Sequence, residues 1–167
     1  MSIKERFKDN GDDTIADTLT GLMWMKNDSY VDLKKFVSFR GATKYMESKN
    51  KESFAGYTDW RLPGKKEAQS LYFPEKDRAV KDRYDMNSYI DPIFSPGGGY
   101  NTWTSETRGK ITAFIFSFAN GSGAHQEVDG TVDTAVRLVR GKCNAEVIAK
   151  LGKIPSPKIM RMSGGWR

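Results

Sequence analysis

Gly56-Tyr57-Thr58-Asp59-Trp60-Arg61-Leu62-Pro63-Gly64-Lys65-Lys66-Glu67 is the stretch around which the rest of the chain can be organised. Gly64 followed three residues later by Glu67 matches a capping box with glycine in place of Ser or Thr, Glu67 being able to reach back to the Gly64 amide. A short helix through Leu71 follows. Trp60 then stands at the corner where extended chain turns into helix. Two more tryptophans are placed in the same way, in Thr20-Gly21-Leu22-Met23-Trp24 upstream and in Trp103-Thr104-Ser105 downstream. A large ring in a strand or at such a corner fills a core, so Trp24, Trp60 and Trp103 are expected to be buried. The alternative is a platform on which sugar rings or bases stack.

Upstream, residues 7–25 read as hairpins: a polar turn at Asn10-Gly11-Asp12-Asp13, a strand near Thr14 to Asp17, a tight turn through Thr20-Gly21, then Leu22 to Met25. The acidic turn lacks the alternating carboxylates and final glutamate of a calcium loop, so no structural metal is expected. Asp32 is a candidate N-cap for a helix running to about Glu47, with Leu33, Phe36, Val37, Arg40 and Lys44 in an i, i+3, i+4 register. Downstream, residues 74–89 alternate charges without a period and Ser95-Pro96-Gly97-Gly98-Gly99 reads as a flexible loop. Residues 74–100 are therefore a candidate binding surface or a solvated excursion.

From Tyr100 the pattern changes to sheet. In Ile111 to Phe118, Phe114, Phe116 and Phe118 share one face while Ile111, Ala113 and Ile115 share the other, as in a central strand covered on both sides. Asn120-Gly121 and Asp129-Gly130 are hairpin signals that would join it to Ala124–Val128 and then to Thr134–Arg140. The whole reads as α+β: two helices packed on a twisted, mainly antiparallel sheet with long loops.

The order and spacing of Asp9 to Asp12, Asp17, Thr20 to Trp24, Gly56 to Pro63 with Glu67, Ile90-Asp91-Pro92-Ile93-Phe94, Trp103-Thr104-Ser105 and Val136-Arg137-Leu138-Val139-Arg140 resemble the Legionella collagen-like protein C-terminal domain (Lcl-C) family. The resemblance covers roughly residues 6–141 and implies a C-type-lectin-like fold. Its named member is an adhesin implicated in binding sulfated glycans. Extracellular relatives often carry two cysteines at positions that align here with Met46 and Leu138, so these two side chains are expected to lie close together in the core. The fold also hosts formylglycine-generating chemistry, which needs a pair of cysteines for copper. Cys143 is the only cysteine, so that activity is not expected.

The chain has 167 residues, enough for one core that buries about two thirds of its unfolded surface. No signal-peptide core and no membrane-length apolar run occur in it, and an internal disulfide is impossible, which together suggest a cytoplasmic protein with no membrane partner. His125 and Cys143 lack any motif of a nucleophilic pair, and phosphate-loop, dinucleotide and zinc patterns are absent, so neither cofactor nor catalysis is expected.

Net charge is +6, and all of it falls between Arg140 and Arg167, where seven basic residues meet Glu146 alone. The chain is thus divided into a lectin-like domain over 1–141 and a basic tail over 142–167. Asn144 can cap a helix that Gly152 ends, and Pro155-Ser156-Pro157 extends the path beyond. Lys158, Ile159, Met160, Arg161, Met162 and Trp166 are the expected partner-binding residues, with Trp166 as anchor. The expected role is an accessory or structural subunit that docks onto another protein in a larger cytoplasmic complex through the tail and surface loops. Carbohydrate binding is the alternative. Nucleic-acid binding through the tail is disfavoured and would show steep salt dependence.

Overall fold

The computed structural model describes residues 6–75, 78–130, 133–143 and 145–152. Local sequence chemistry builds its first sheet. Strands β1 (Phe7–Asp9) and β2 (Thr14–Asp17) join through a turn in which Gly11 and Asp13 adopt positive φ. The Asp9 carboxylate accepts from the Gly11 amide at 2.9 Å and Asp12 from the Thr14 amide at 3.2 Å, so these acids serve the turn itself. After Gly21, also at positive φ, β3 (Met23–Met25) returns along β2. The last strand, β10 (Val139–Arg140), closes the antiparallel order β1-β2-β3-β10.

Beneath this sheet Arg6 and Asp17, 4 % and 1 % exposed, form a two-pronged ion pair at 2.9 and 2.7 Å. The third guanidinium nitrogen of Arg6 donates to the Ser70 carbonyl at 2.9 Å in helix α3 (Lys65–Leu71). Arg6, just before β1, is thereby fastened to the helix whose capping box opened the sequence reading. That box is present: the Gly64 amide donates to Glu67 Oε1 at 2.7 Å.

The second sheet has the order β8-β7-β6-β9, from β6 (Asn101–Arg108), β7 (Thr112–Ser117), β8 (Gly123–Glu127) and β9 (Thr134–Ala135). Strand β7 is interior, and its alternation separates two packed clusters. Phe114 and Phe116, with Phe118 just beyond, join the cluster of Trp24, Leu71 and Phe94, whereas Ala113 and Ile115 join that of Trp60, Trp103 and Leu138. Ile111 departs from its expected face and is 72 % exposed, because the β6–β7 turn carries it past the covered part of the sheet.

Three further expectations are corrected. The single helix over 32–47 is two, α1 (Ser29–Leu33) and α2 (Phe39–Lys51), capped by Asp28 and Ser38. Lys34 takes a left-handed conformation, and the Val37 and Phe39 amides bond the Thr134 and Val128 carbonyls at 2.9 Å each, which holds the link out of helix. With α3 and α4 (Ala145–Gly152), the helix expected in the tail, the described residues hold four α-helices, so three rather than two precede residue 142. Asp129-Gly130 does not join β8 to a pairing strand either. The chain crosses to the other edge, where β9 pairs with β6 in parallel, and only the end of the expected 134–140 strand, β10, enters the first sheet. Residues 95–99 are not a free loop: Gly98 and Gly99 are buried and bonded on both sides, as described below.

Beyond Gly141, α4 lies against α3, and Cys143 and Ile148 pack on the first cluster. The core therefore includes side chains from the segment that begins at residue 142.

The opening stretch seals onto the last strand. Arg61 and Val139 exchange backbone hydrogen bonds at 2.9 and 3.0 Å. The Arg61 guanidinium meets both Glu67 oxygens at 2.7 and 2.8 Å and the Gly141 carbonyl at 2.7 Å. Burial alone would raise the Glu67 pKa, but the hydrogen bonds from Arg61 and Gly64 outweigh it and hold the carboxyl below its usual 4.5. A depressed carboxylate stabilises the fold above its unfolded pKa, and that contribution disappears as pH falls through the folded value. The stability gap between wild type and Glu67→Gln is thus expected to be widest near neutral pH and to narrow below about pH 4, as read by urea denaturation across pH. An equal gap at pH 7 and pH 3 would mean that the ionised form contributes nothing.

Candidate functional site

Two buried aspartates organise one surface. The Asp28 carboxylate caps α1 by accepting from the Val31 amide at 3.0 Å, and its other oxygen accepts from the Gly99 amide at 2.8 Å. A Cβ on Gly98 would collide with this carboxylate, so the glycine is required by a close approach. The Gly98 carbonyl accepts from the Arg83 amide at 2.7 Å, and the Gly97 amide donates to Lys81 at 2.8 Å. Lys81 belongs to β4 (Val80–Lys81), which pairs with β5 (Asn87–Ser88). Asp82 sets the turn between them, since one of its oxygens accepts from both the Tyr84 and Met86 amides at 2.8 and 3.0 Å. Arg83, Tyr84 and Met86 are consequently presented outward on a braced turn.

The same braces bring α1 and its exit against that turn. Tyr30 and Phe36 rings lie 4.6 Å apart, and Phe36 stacks beside Tyr84 at 6.4 Å and 24°. The Arg83 guanidinium lies 5.2 Å from the Tyr30 ring centre and 5.1 Å from that of Tyr84, within cation–π range of both. Tyr84 is 53 % and Met86 63 % exposed, and Leu33 is exposed as well. Among the described residues Arg83 makes no ion pair and no side-chain hydrogen bond, and exposed Lys34, Lys35 and Lys81 make no ion pair either.

Two supports lie behind this surface. Asp32 of α1 accepts from the Tyr45 hydroxyl and pairs with Lys49, each at 3.0 Å, which fastens α1 to α2. Burial works against the ionised Asp32 carboxylate, yet Lys49 and Tyr45 draw its pKa below the ordinary value. Buried Arg137 donates to the Met25 and Lys26 carbonyls at 3.3 and 3.0 Å and lies 4.9 Å over the Phe94 ring, tying the end of β3 to the loop that carries Gly98. Nearby, burial and then the bond to Asp133 push the Tyr100 hydroxyl up to about 12, so it remains a neutral donor.

Trp24, Trp60 and Trp103 are fully buried and offer no ring face to a ligand. The Trp60 and Trp103 indoles donate to the Phe54 and Val37 carbonyls at 3.1 and 2.9 Å. Leu138 belongs to the second cluster and Met46 packs against the same cluster. Lys158, Ile159, Met160, Arg161, Met162 and Trp166 lie outside the described residues. Asp59 and Arg61, on either side of Trp60, are committed to separate ion pairs, Asp59 with Arg140 at 2.7 Å and Arg61 with Glu67. Burial, its largest influence, raises the Cys143 thiol above its ordinary value, the opposite of what a nucleophile needs. His125 lies on exposed β8 with its ring edge against Phe114 at 5.5 Å. Among the described residues no group of three or more His, Cys, Asp or Glu could hold a metal ion, and no helix is long and apolar enough to cross a membrane.

Tyr30, Leu33, Phe36, Arg83, Tyr84 and Met86 were not singled out by the sequence as a surface. The available signal was slight: Tyr84 and Met86 are isolated apolar residues in a charged stretch, and Asp82 two residues before Tyr84 is an Asx-turn signature.

No curated protein matches the sequence. Residues 13–140 match the Lcl C-terminal domain family, a span well over half the chain that contains every residue of the aromatic surface. The chain belongs to the Lcl C-terminal domain family.

Proposed function

We propose that this domain is a non-catalytic, C-type-lectin-like docking module that binds another protein through the Tyr30–Phe36–Arg83–Tyr84 surface, as an accessory or structural subunit of a larger cytoplasmic assembly. The observation that carries this reading is the braced, outward-facing cluster of Tyr, Arg and Met side chains, the types in which binding energy concentrates at protein interfaces. The basic segment after Gly152 supplies a second contact. Met46 and Leu138, in place of the cysteine pair that the resemblance implies, suit a reducing compartment.

Sulfated-glycan binding is the second reading, favoured by Lys34, Lys35 and Arg83 around the rings. Against it, Arg83 already lies over both tyrosine rings, which reduces the open face available to a sugar.

The test uses the full chain purified from native cells without crosslinking, beside a Tyr84→Ala/Met86→Ser variant and a truncation after Gly152. A stoichiometric partner that is lost from the double variant, with circular dichroism unchanged, is the expected result. A partner retained in full by the double variant would remove this surface from the interface. Retention of a heparin oligosaccharide by the wild type, with no protein partner, would establish the glycan reading instead.

A further inference from the structure

Deepening the docking reading, on which it rests, we infer that Arg83 is a receptor for a carboxylate and that the surface takes an acidic peptide segment with an apolar anchor residue. The guanidiniums of Arg6, Arg61, Arg137 and Arg140 spend their donors on carboxylate or carbonyl oxygens. Among the described residues exposed Arg40, Arg83 and Arg108 do neither, and of these three Arg83 alone lies over aromatic rings. It is oriented by two tyrosine rings and by its own amide on Gly98, and its donor edge stays unused. An arginine oriented in this way but unpaired loses little further side-chain freedom when an oxyanion arrives, and it can bond a carboxylate with two parallel hydrogen bonds.

The surroundings select the rest of the ligand. Of the carboxylates here, Asp32 is paired with Lys49 and buried Asp28 and Asp82 accept from backbone amides, so the charges left open to a ligand are Arg83, Lys34, Lys35 and Lys81 against Asp85, a balance that complements acidic groups. The exposed apolar side chains of the two segments are Met86, on the turn that carries Arg83, and Leu33, one helical turn from Tyr30. An exposed thioether beside the guanidinium fits a leucine, methionine or phenylalanine side chain better than the hydroxylated edge of a sugar. The ligand is therefore a peptide with Asp or Glu placed beside one large apolar residue.

The experiment is selection of the full chain against a random dodecapeptide library displayed on phage, followed by titration of fluorescein-labelled synthetic copies of the winners. Sequences pairing Asp or Glu with a large apolar residue are expected. Their amide counterparts, with Asn or Gln, should bind about tenfold more weakly or worse, and Arg83→Gln should cause a similar loss. Arg83→Lys should restore little, since an ammonium lacks the planar fork. Selection of no peptide, of peptides without acids, or of peptides whose binding is unchanged in Arg83→Gln would overturn the inference. If the native partner is still lost from Tyr84→Ala/Met86→Ser while Arg83→Gln changes nothing, docking stands and the carboxylate receptor falls. If the partner survives both variants, both readings fall.

Discussion

Trp103→Ala is expected to destabilise the domain by about 3 to 5 kcal/mol, from lost burial and the cavity left behind. Trp103 is fully buried on β6, its indole donates to the Val37 carbonyl at 2.9 Å, and Phe39 packs edge-on at 5.7 Å. Removal of the ring therefore also leaves a buried carbonyl without that donor, in the segment that links α1 to α2. Loosening there would reach Phe36 and the exposed surface. Urea denaturation measures the change. A loss under about 1 kcal/mol would show that the ring is not part of the core and would reopen a ligand-stacking role for it.

Asp17→Ala is expected to cost a comparable amount, about 3 to 5 kcal/mol, for a different reason. It leaves the Arg6 guanidinium buried without its counter-charge while its remaining bond, to the Ser70 carbonyl, keeps it in place. It also removes the acceptor for the Leu19 and Thr20 amides in the β2–β3 turn. The double change Arg6→Met/Asp17→Leu should cost much less than Asp17→Ala, since paired removal leaves no isolated charge. Equal losses for the single and double variants in the same denaturation assay would contradict this account of the pair.

Features fixed by neighbours in sequence were legible and those fixed across the fold were not. The Gly64–Glu67 cap, the Gly11 and Gly21 turns and the two-sided alternation of β7 depend on contacts within a few residues or on a period of two, so they can be read directly. Trp24, Trp60 and Trp103 followed from ring size and position. The break between α1 and α2 could not be read, because an apolar register continues through it. The break is imposed by the Thr134 and Val128 carbonyls, about a hundred residues away. Likewise Asp129-Gly130 announces a turn but not the partner of the next strand, and β9 pairs in parallel with β6. The candidate surface was the least legible element. Its residues come from two segments, 30–36 and 81–86, which meet through a buried loop where Asp28 accepts from the Gly99 amide and the Gly98 carbonyl accepts from the Arg83 amide. The sequence marked residues 74–100 as a possible binding region without indicating which of its side chains would be braced outward.

The most direct test of the docking role is amide hydrogen–deuterium exchange on the full chain, free and in the complex purified from native cells. Protection that arises on complex formation is expected at residues 30–36 and 81–99, the two arms of the braced surface. Unchanged exchange in both arms, with new protection confined to other parts of the chain, would contradict the assignment of this surface as the one the domain uses.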